Sequence, residues 1–265
     1  MTLPRVVIAT VAAVLAKAKS ALFITGAGIS ADSGLPTYRG IGGLYEDRPA
    51  DEGLPIEVLL SGDMMEARPD LTWKYLHQIE QACRGARPNR GHTVLADLEQ
   101  RLERCLVLTQ NVDGFHRAAG SRNVIEIHGN LHALACTACD WRTTVPDFAG
   151  LAIPPRCPDC GGLVRPDVVL FGEALPVDGF ARLEEELEAG FDVVFSIGTS
   201  ALFPYVARPV LLARSLGIPT VEINPAETDL SDIVDYRIGA GARAALRALW
   251  VAYKALSPQR TLVGH

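Results

Sequence analysis

Residues 24–46, ITGAGISADSGLPTYRGIGGLYE, decide how the rest of the chain is read. The stretch opens like a dinucleotide loop. Gly26, Gly28 and Ala31 fit G-x-G-x-x-G/A, directly after the apolar run ALFIT, which reads as a buried strand. A dinucleotide fold then calls for a helix with the pyrophosphate at its N-terminus. Here Gly34, Pro36, Gly40, Gly42 and Gly43 exclude a long regular helix. Proline has no N–H to donate, and glycine loses the most backbone entropy in a helix. The loop therefore leads into a glycine-studded flap.

Working outward, further apolar runs end in Gly, Asn, Asp or Ser: CLVLTQNVDG, NVIEIHGN, DVVLFGE, DVVFSIGTS, PTVEINP and DYRIGAG. Strands that are β-branched and apolar on both faces suit a parallel sheet covered by helices. Helical patterns separate many of them, over about 12–20, 69–86, 92–101, 180–189, 205–216 and 243–256. The alternation predicts an α/β fold, a doubly wound and mostly parallel Rossmann-like sheet whose ligands bind beyond the carboxyl ends of the strands. Two stretches break the pattern. Residues 41–90 read as a helical and flap insertion, and residues 130–166, which hold four cysteines, as a zinc-ribbon insertion. The dinucleotide-binding domain would then be discontinuous, over 1–40, 91–129 and 167–256, with a loosely held tail at 257–265.

The 265 residues are 48% hydrophobic and 21% charged, an ordinary globular composition. A net charge of -6 gives no electrostatic reason to expect nucleic acid as a partner. The run VVIATVAAVLA mimics a short signal peptide, but Lys17 and Lys19 interrupt it and a core strand starts at Ala21. At 11 residues it is also too short to cross a bilayer. It reads as the first helix of a cytoplasmic protein without a membrane partner, expected to be a monomer.

Cys136-T-A-Cys139 and Cys157-P-D-Cys160 form two C-x-x-C knuckles with 17 residues between them. Each turn presents two thiolates to one ion, so the pairs together fill the tetrahedron of a zinc site. With no position open for water, such a zinc is structural. Two disulfides are the alternative, and they do not suit a cytosolic chain. Cys83 and Cys105 sit in apolar contexts and read as core thiols. A zinc ribbon alone could serve as a binding module for nucleic acid or protein. That reading leaves most of the chain unused, and no basic cluster surrounds the knuckles.

The strand ends carry the chemistry. TQNVDGFH places Gln110, Asn111, Asp113 and His116 after one strand, and EIHGN places His128 after the next. Amides and a carboxylate suit a carboxamide and ribose hydroxyls. An imidazole, which titrates near pH ~6.5 when unperturbed, can act as general base on a hydroxyl. His116 instead reads as a first-turn residue that orients the loop. Further on, Gly198, Thr199 and Ser200 can offer backbone N–H groups to a phosphate, and Asn224 can bond a ribose.

These residues resemble the sirtuin family of NAD-dependent protein deacylases. The segments GAGISADSGLPTYRG, TQNVDGFHRAAG, IHGN, the two C-x-x-C pairs, RPDVVLFGE, GTS and INPAET occur in the family's order across about residues 20–245. The resemblance implies a flap that closes over NAD and substrate, with Tyr38 where the family usually has Phe, and Arg39 beside it. It implies a reaction in which an acyl-lysine carbonyl oxygen attacks the ribose carbon as nicotinamide leaves. His128 then takes a proton from a ribose hydroxyl, and the products are free lysine, nicotinamide and O-acyl-ADP-ribose. Asn111 would hold the ribose or a water, and Asp113 the carboxamide. Gly26, Ala27, Gly28, Ser30, Tyr38, Arg39, Gln110, Gly198, Thr199, Ser200, Asn224 and Ala240 would line the cofactor. Residues Val168, Val169, Phe171, Gly172 and Glu173 would pair with the backbone of an acyl-lysine protein substrate as an added strand.

PTYRG, GGLY and PN-x-GH are similar to the sirtuin class that contains desuccinylases. Those carry Tyr-x-x-Arg in the acyl pocket, where the guanidinium fork suits a terminal carboxylate. In RPDLTWKYLHQIEQACR, alignment on Trp73 puts Leu76 and Ile79 at those positions, and alignment on Tyr75 puts Gln78 at the Arg position. Neither register supplies the Arg, and Arg84 lies further on. An acidic acyl group facing Leu76 and Ile79 would be poorly paired. The expectation is a deacetylase-like preference for neutral acyl groups, with weak desuccinylation. Alternatives are a deacylase for longer or acidic chains, a protein mono-ADP-ribosyltransferase on the same scaffold, a non-catalytic binding protein, and a dehydrogenase, which the broken helix after Gly28 disfavours.

Overall fold

The computed structural model describes residues 3–35 and 53–257. Helix α1 (Arg5–Lys17) leads into β1 (Ser20–Thr25). The lobe that follows holds α2 (Ile56–Leu59), α3 (Gly62–Ala67) and α4 (Pro69–Cys83). Next come α5 (Arg90–Glu99), β2 (Arg104–Thr109), α6 (Phe115–Ala118) and β3 (Val124–Glu126). Strands β4 (Gly129–Cys136), β5 (Arg142–Thr144) and β6 (Val164–Val168) carry the cysteines. The chain ends through α7 (Val177–Glu188), β7 (Val193–Ile197), α8 (Pro204–Ser215), β8 (Thr220–Ile223), β9 (Tyr236–Ile238) and α9 (Ala242–Leu256).

Local signals fix several boundaries. Proline stands at the first turn of α4 and of α8, where its missing N–H costs nothing. The Ser61 hydroxyl caps α3 through the Met64 N–H, and Asn89 closes a capping box on α5. The first helix begins at Arg5 rather than near residue 12, and Ser20 already belongs to β1.

Six strands form a parallel sheet in the order β3-β2-β1-β7-β8-β9. Side chains alternate across it. Ala21, Phe23, Val107 and Phe195 pack under α1, α5 and α9, while Leu22, Ile24, Leu106 and Val194 pack under α7 and α8. The Phe23 and Phe195 rings lie 4.8 Å apart on neighbouring strands. Each of these buried Val, Leu, Ile and Phe side chains stabilises the fold by roughly 1.5–3 kcal/mol. The chain starts at the middle of the sheet, builds outward to β3, and then returns beside β1 to build the other half. The strand order therefore reverses at β1, which puts a crevice there at the carboxyl edge.

DVVLFGE does not join this sheet, contrary to its reading as one of the parallel strands. Its first two residues, Asp167 and Val168, end β6, which runs antiparallel to β4 in the separate sheet β5-β4-β6, and the rest follow that strand. The strand covers VRPDV, and only its alternate residues are buried. That is the mark of an antiparallel strand with one wet face. Leu59, Trp73, Leu76, Ile79, Leu134, Phe148 and Val164 join α2, α4 and this small sheet in one further apolar cluster. Among the described residues no helix is long and apolar enough to cross a membrane.

The loops that leave β1 and β7 cross in direct backbone contact. Gly28 N–H donates to the Gly198 carbonyl at 2.8 Å. A Cβ on Gly28 would lie 2.7 Å from Gly198 Cα, and one on Gly198 would lie 2.6 Å from Gly28 C. Gly198 also has φ +59, a conformation costly for residues with a Cβ. Gly198→Ala is expected to cost at least ~3 kcal/mol, combining the left-handed backbone with overpacking. Thermal unfolding of the variant beside the native chain checks this, and an unchanged Tm would contradict the crossing.

Candidate active site

Beyond Thr25 the chain makes two tight 3-10 turns, Ala27–Ile29 and Ala31–Ser33, and leaves through Gly34 at φ +88. Among the described residues no long helix follows the dinucleotide-like loop. Tyr38 and Arg39 lie outside the described residues.

Ser30 is buried at the centre of a polar cluster. Its Oγ donates to Asp113 Oδ2 at 2.6 Å. The same oxygen receives Asn111 Nδ2 at 3.2 Å and lies 3.3 Å from His92 Nε2. His92 Nδ1 accepts the Asn89 N–H as part of the α5 cap, so the ring's own proton sits on Nε2 and points at Ser30. Burial lowers the His92 pKa to about 4 and keeps the ring neutral. Asp113 Oδ1 accepts the Phe115 N–H. Burial raises the Asp113 pKa, against the opposing pull of the Ser30 bond. Asn111 Nδ2 also reaches the Gly26 carbonyl at 3.1 Å. The strand ends after β1 and β2 are thus tied into one surface.

His128 stands between β3 and β4. Its Nδ1 lies 2.9 Å from the Gln110 carbonyl and its Nε2 lies 2.5 Å from the Tyr205 hydroxyl. A carbonyl only accepts, so Nδ1 carries the proton and Nε2 keeps its lone pair, as a general base requires. Burial lowers the His128 pKa, opposed by the Gln110 carbonyl. Gly129 follows at φ +81, and a Cβ there would fall 1.9 Å from the Asp167 carbonyl. The close pairing of β4 with β6 depends on that glycine. His116 is buried on α6 with Nε2 2.9 Å from Thr25 Oγ1. Burial takes its pKa down to about 3, which fits an orienting group and not a proton carrier.

The β7 side completes the edge. Gln110 Nε2 donates to Thr199 Oγ1 at 2.8 Å, and Asn224 Nδ2 donates to the Thr199 carbonyl at 3.0 Å. Asn224 thereby ties the loops after β7 and β8 together, and Ala240 lies buried at the end of β9. Ser200 is exposed.

A cavity of about 170 Å³ opens beside Ser30, Asn111 and Asp113, walled by Ile79 and Arg84 of the helical lobe. Leu76, by contrast, packs into the cluster around Trp73. Arg84 does not present a free fork to the cavity. Its Nε donates to Glu80 Oε1 at 3.0 Å and its Nη2 binds the other oxygen of Glu80, a side chain only 1% exposed. The segment after β6 is held from both sides. Val169 N–H donates to the His128 carbonyl, Phe171 pairs with Leu60 and Gly62, and Phe171 keeps an exposed ring. The Glu173 carboxylate binds Arg165 and the Leu170 N–H, which hold its pKa down against burial. Gly172 sits in this turn at φ +83.

The four cysteines Cys136, Cys139, Cys157 and Cys160 gather with their sulfurs within 4.8 Å of one another. Cys136 and Cys160 are 3.5 Å apart, and Cys139 and Cys157 are 3.6 Å apart. A disulfide needs about 2.05 Å. Sulfurs ~2.3 Å from one tetrahedral ion stand about 3.8 Å apart. The Ala138 and Gly162 N–H groups point at Cys136 and Cys160 Sγ. The first of these is the main reason that the Cys136 thiol falls to about 7. The cluster fits a structural zinc, which would pin the two turns and supply no chemistry to the strand ends.

Glu80, Arg84, His92 and Tyr205 were not singled out as site residues by the sequence. His92 had a signal, since PN-x-GH is an N-cap pattern. Tyr205 had none, because its contact with His128 spans 77 residues.

Residues 26–203 match the Sir2 family. The chain is 52% identical to NAD-dependent protein deacylase 2 of Pseudomonas aeruginosa over 87% of this chain and 91% of that protein. A solved Sir2 homolog–NAD complex superposes with a TM-score of 0.83 at 36% identity, covering 94% of each chain. A Sir2 complex with a deacetylated p53 peptide and 3′-O-acetyl ADP ribose gives a TM-score of 0.80 at 29% identity, covering 91% of this chain and 96% of that one. The chain belongs to the Sir2, or sirtuin, family.

Cys157→Ser is expected to abolish stoichiometric zinc and lower Tm by roughly 10 °C. Zinc release assayed with a chromogenic chelator, alongside calorimetry, checks both. Undiminished zinc in the variant would show that the cluster does not hold the ion.

Proposed function

We propose that this chain is an NAD-dependent protein-lysine deacylase that consumes NAD as a substrate and releases nicotinamide and O-acyl-ADP-ribose. The observation that carries the reading is the tautomer of His128. Gln110 fixes the proton on Nδ1, which leaves an acceptor nitrogen beside a strand-end surface of Asn111, Asp113 and Ser30. In this reading the crossing of Gly26, Ala27 and Gly28 with Gly198, Thr199 and Ser200 receives the pyrophosphate, and Asn224 and Ala240 border the adenosine half. Tyr38 and Arg39 belong to the flap over the ribose. Asp113 receives the carboxamide, and Asn111 the ribose or a water. His128 takes the proton from a ribose hydroxyl, which then attacks the O-alkylated amide. The substrate backbone adds beside residues 168–173 in exchange for the Leu60 and Gly62 bonds to Phe171, whose ring is already exposed.

The acyl preference follows from the cavity wall. Ile79 is apolar, and Arg84, the one Lys or Arg on the wall among the described residues, is already forked by Glu80. A terminal carboxylate would compete with a buried carboxylate for the same guanidinium. Neutral acyl groups are therefore preferred, acetyl first, with an apolar wall that also tolerates longer chains. The reading includes a cytoplasmic monomer, supported by six free cysteines, four of them gathered for a metal. It divides the chain into a discontinuous dinucleotide domain, whose sheet has an apolar cluster on each face, and two insertions that share a third cluster.

The reading is tested by mass spectrometry of matched acetyl-, succinyl- and decanoyl-lysine peptides, with and without NAD. NAD-dependent loss of acetyl ahead of succinyl is expected, and dominant loss of succinyl would overturn the neutral preference. Nicotinamide release with no peptide changing mass would overturn the deacylase reading. His128→Ala should reduce turnover at least ~10²-fold. It should reduce peptide-dependent nicotinamide release less, because the base acts after nicotinamide leaves. Glu80→Gln frees the Arg84 fork and should raise succinyl relative to acetyl turnover about tenfold. An unchanged ratio would remove Arg84 from the acyl pocket.

A further inference from the structure

The contact between Tyr205 and His128 raises a problem for any base at this position. A neutral imidazole has one lone pair. Gln110 fixes that lone pair on Nε2, and the Tyr205 hydroxyl already occupies it at 2.5 Å. A ribose hydroxyl needs the same atom. Two O–H donors cannot share one imidazole lone pair with good geometry.

We propose that Tyr205 is a positioning residue that holds the Nε2 lone pair of His128 in the free protein and gives it up to a ribose hydroxyl when NAD binds. The inference rests on the reading of His128 as the base of NAD-dependent deacylation. The placement of Tyr205 suits such an exchange. It lies on the first turn of α8, directly after the loop that leaves β7. Its ring stacks on Phe203 at 5.5 Å with 15° between planes, and Phe203 also meets the His128 ring edge-on. The aromatic pair can keep the phenol close while its O–H turns away. The loop before it is poised too, with Ala201 at φ +54 between Ser200 and Leu202.

The other groups at the ring leave the phenol as the adjustable partner. Gln110 presents a carbonyl, Phe203 an apolar edge, and Val169 an N–H that goes to the His128 carbonyl. Among the described residues no carboxylate, lysine or arginine contributes to the lowered His128 pKa, which comes from burial opposed by the Gln110 carbonyl. Burial lifts the Tyr205 pKa to about 12, so the phenol remains an O–H donor across the working range. The phenol donates to the neutral ring, whereas a protonated Nε2 would donate to the phenol oxygen, so the contact differs between the two charge states of His128. Removing the phenol O–H should therefore shift the His128 pKa in the free protein.

The test compares the zinc-loaded chain with Tyr205→Phe, which keeps the ring and its stacking. Long-range ¹H–¹⁵N NMR follows the His128 titration, assigned by its loss in His128→Ala, in free protein and in protein saturated with ADP-ribose as verified by calorimetry. In the free protein the variant should titrate roughly half a unit to one unit away from the native chain. With ADP-ribose the two proteins should titrate together, because the ribose hydroxyl has replaced the phenol in both. In turnover the variant should show a KM for NAD lowered a few-fold with kcat nearly unchanged. No pKa difference in the free protein would overturn the contact. A difference that persists with ADP-ribose would overturn the exchange. A hundredfold fall in kcat at unchanged KM would overturn it as well, by placing the phenol in the proton path. The NMR comparison needs no turnover, so a protein with this titration pattern and no deacylation would sink the functional reading alone.

Discussion

The site depends on one backbone crossing. The loops after β1 and β7 approach so closely at Gly26, Gly28 and Gly198 that no side chain fits between them. Two N–H bonds, Gly26 to Ile197 and Gly28 to Gly198, lock the crossing. Everything at the carboxyl edge refers to it. Asn111 bonds the Gly26 carbonyl on one side, and Thr199 receives Gln110 and Asn224 on the other. The second glycine of the dinucleotide pattern thus admits a neighbouring loop as much as a cofactor. A Rossmann loop gains its rigidity from the helix that follows. Here the neighbouring strand's loop supplies it, which leaves the residues after Gly34 free of that duty.

The cluster at Ser30 contains a serine, a histidine and an aspartate, and could be mistaken for a nucleophilic triad. The proton directions exclude that. A nucleophilic serine gives its proton to the histidine, whereas Ser30 gives its proton to Asp113, with the His92 Nε2–H aimed back at the serine oxygen. His92 has no free lone pair to offer, because the α5 cap uses its Nδ1. The chain of bonds runs one way, from helix cap to histidine to serine to carboxylate. Its effect is to fix Asp113 at the cavity with a defined orientation, at the cost of burying it.

How much of this was legible in the sequence depended on distance along the chain. The strands ending in TQNVDG and SIGTS, the broken helix after Gly28 and the two C-x-x-C knuckles are local patterns, and each appears where it was read. DVVLFGE was misassigned because an apolar run does not reveal its partner. The strand that forms, VRPDV, overlaps the run only at Asp167 and Val168, and its alternation was hidden by the apolar residues after it. The cavity wall was half legible. Alignment on Trp73 pointed to both Leu76 and Ile79; both join the Trp73 cluster, and only Ile79 also reaches the cavity. Arg84 had no register to place it, since its position follows from its bond to the buried Glu80 one turn earlier. Tyr205 and His128 meet only because α8 and the β3–β4 connection converge at one edge, which no periodicity records.

The distant cysteine cluster bears on the cavity through packing. Trp73 Nε1 donates to the Val164 carbonyl on β6, and its ring meets Phe148 at 5.3 Å. Trp73 lies on α4, whose later turns carry Ile79, Glu80 and Arg84. The knuckles close the strands β4 and β6 at their far end, where Cys136 pairs with Val164. At the near end, Gly129 pairs with Val168, directly beside His128. One small sheet therefore spans from the metal ligands to the base, and one helix hangs from it by a buried indole. An ion held by the four cysteines, with no open coordination position, would brace both the backbone beside His128 and the wall of the cavity without touching either.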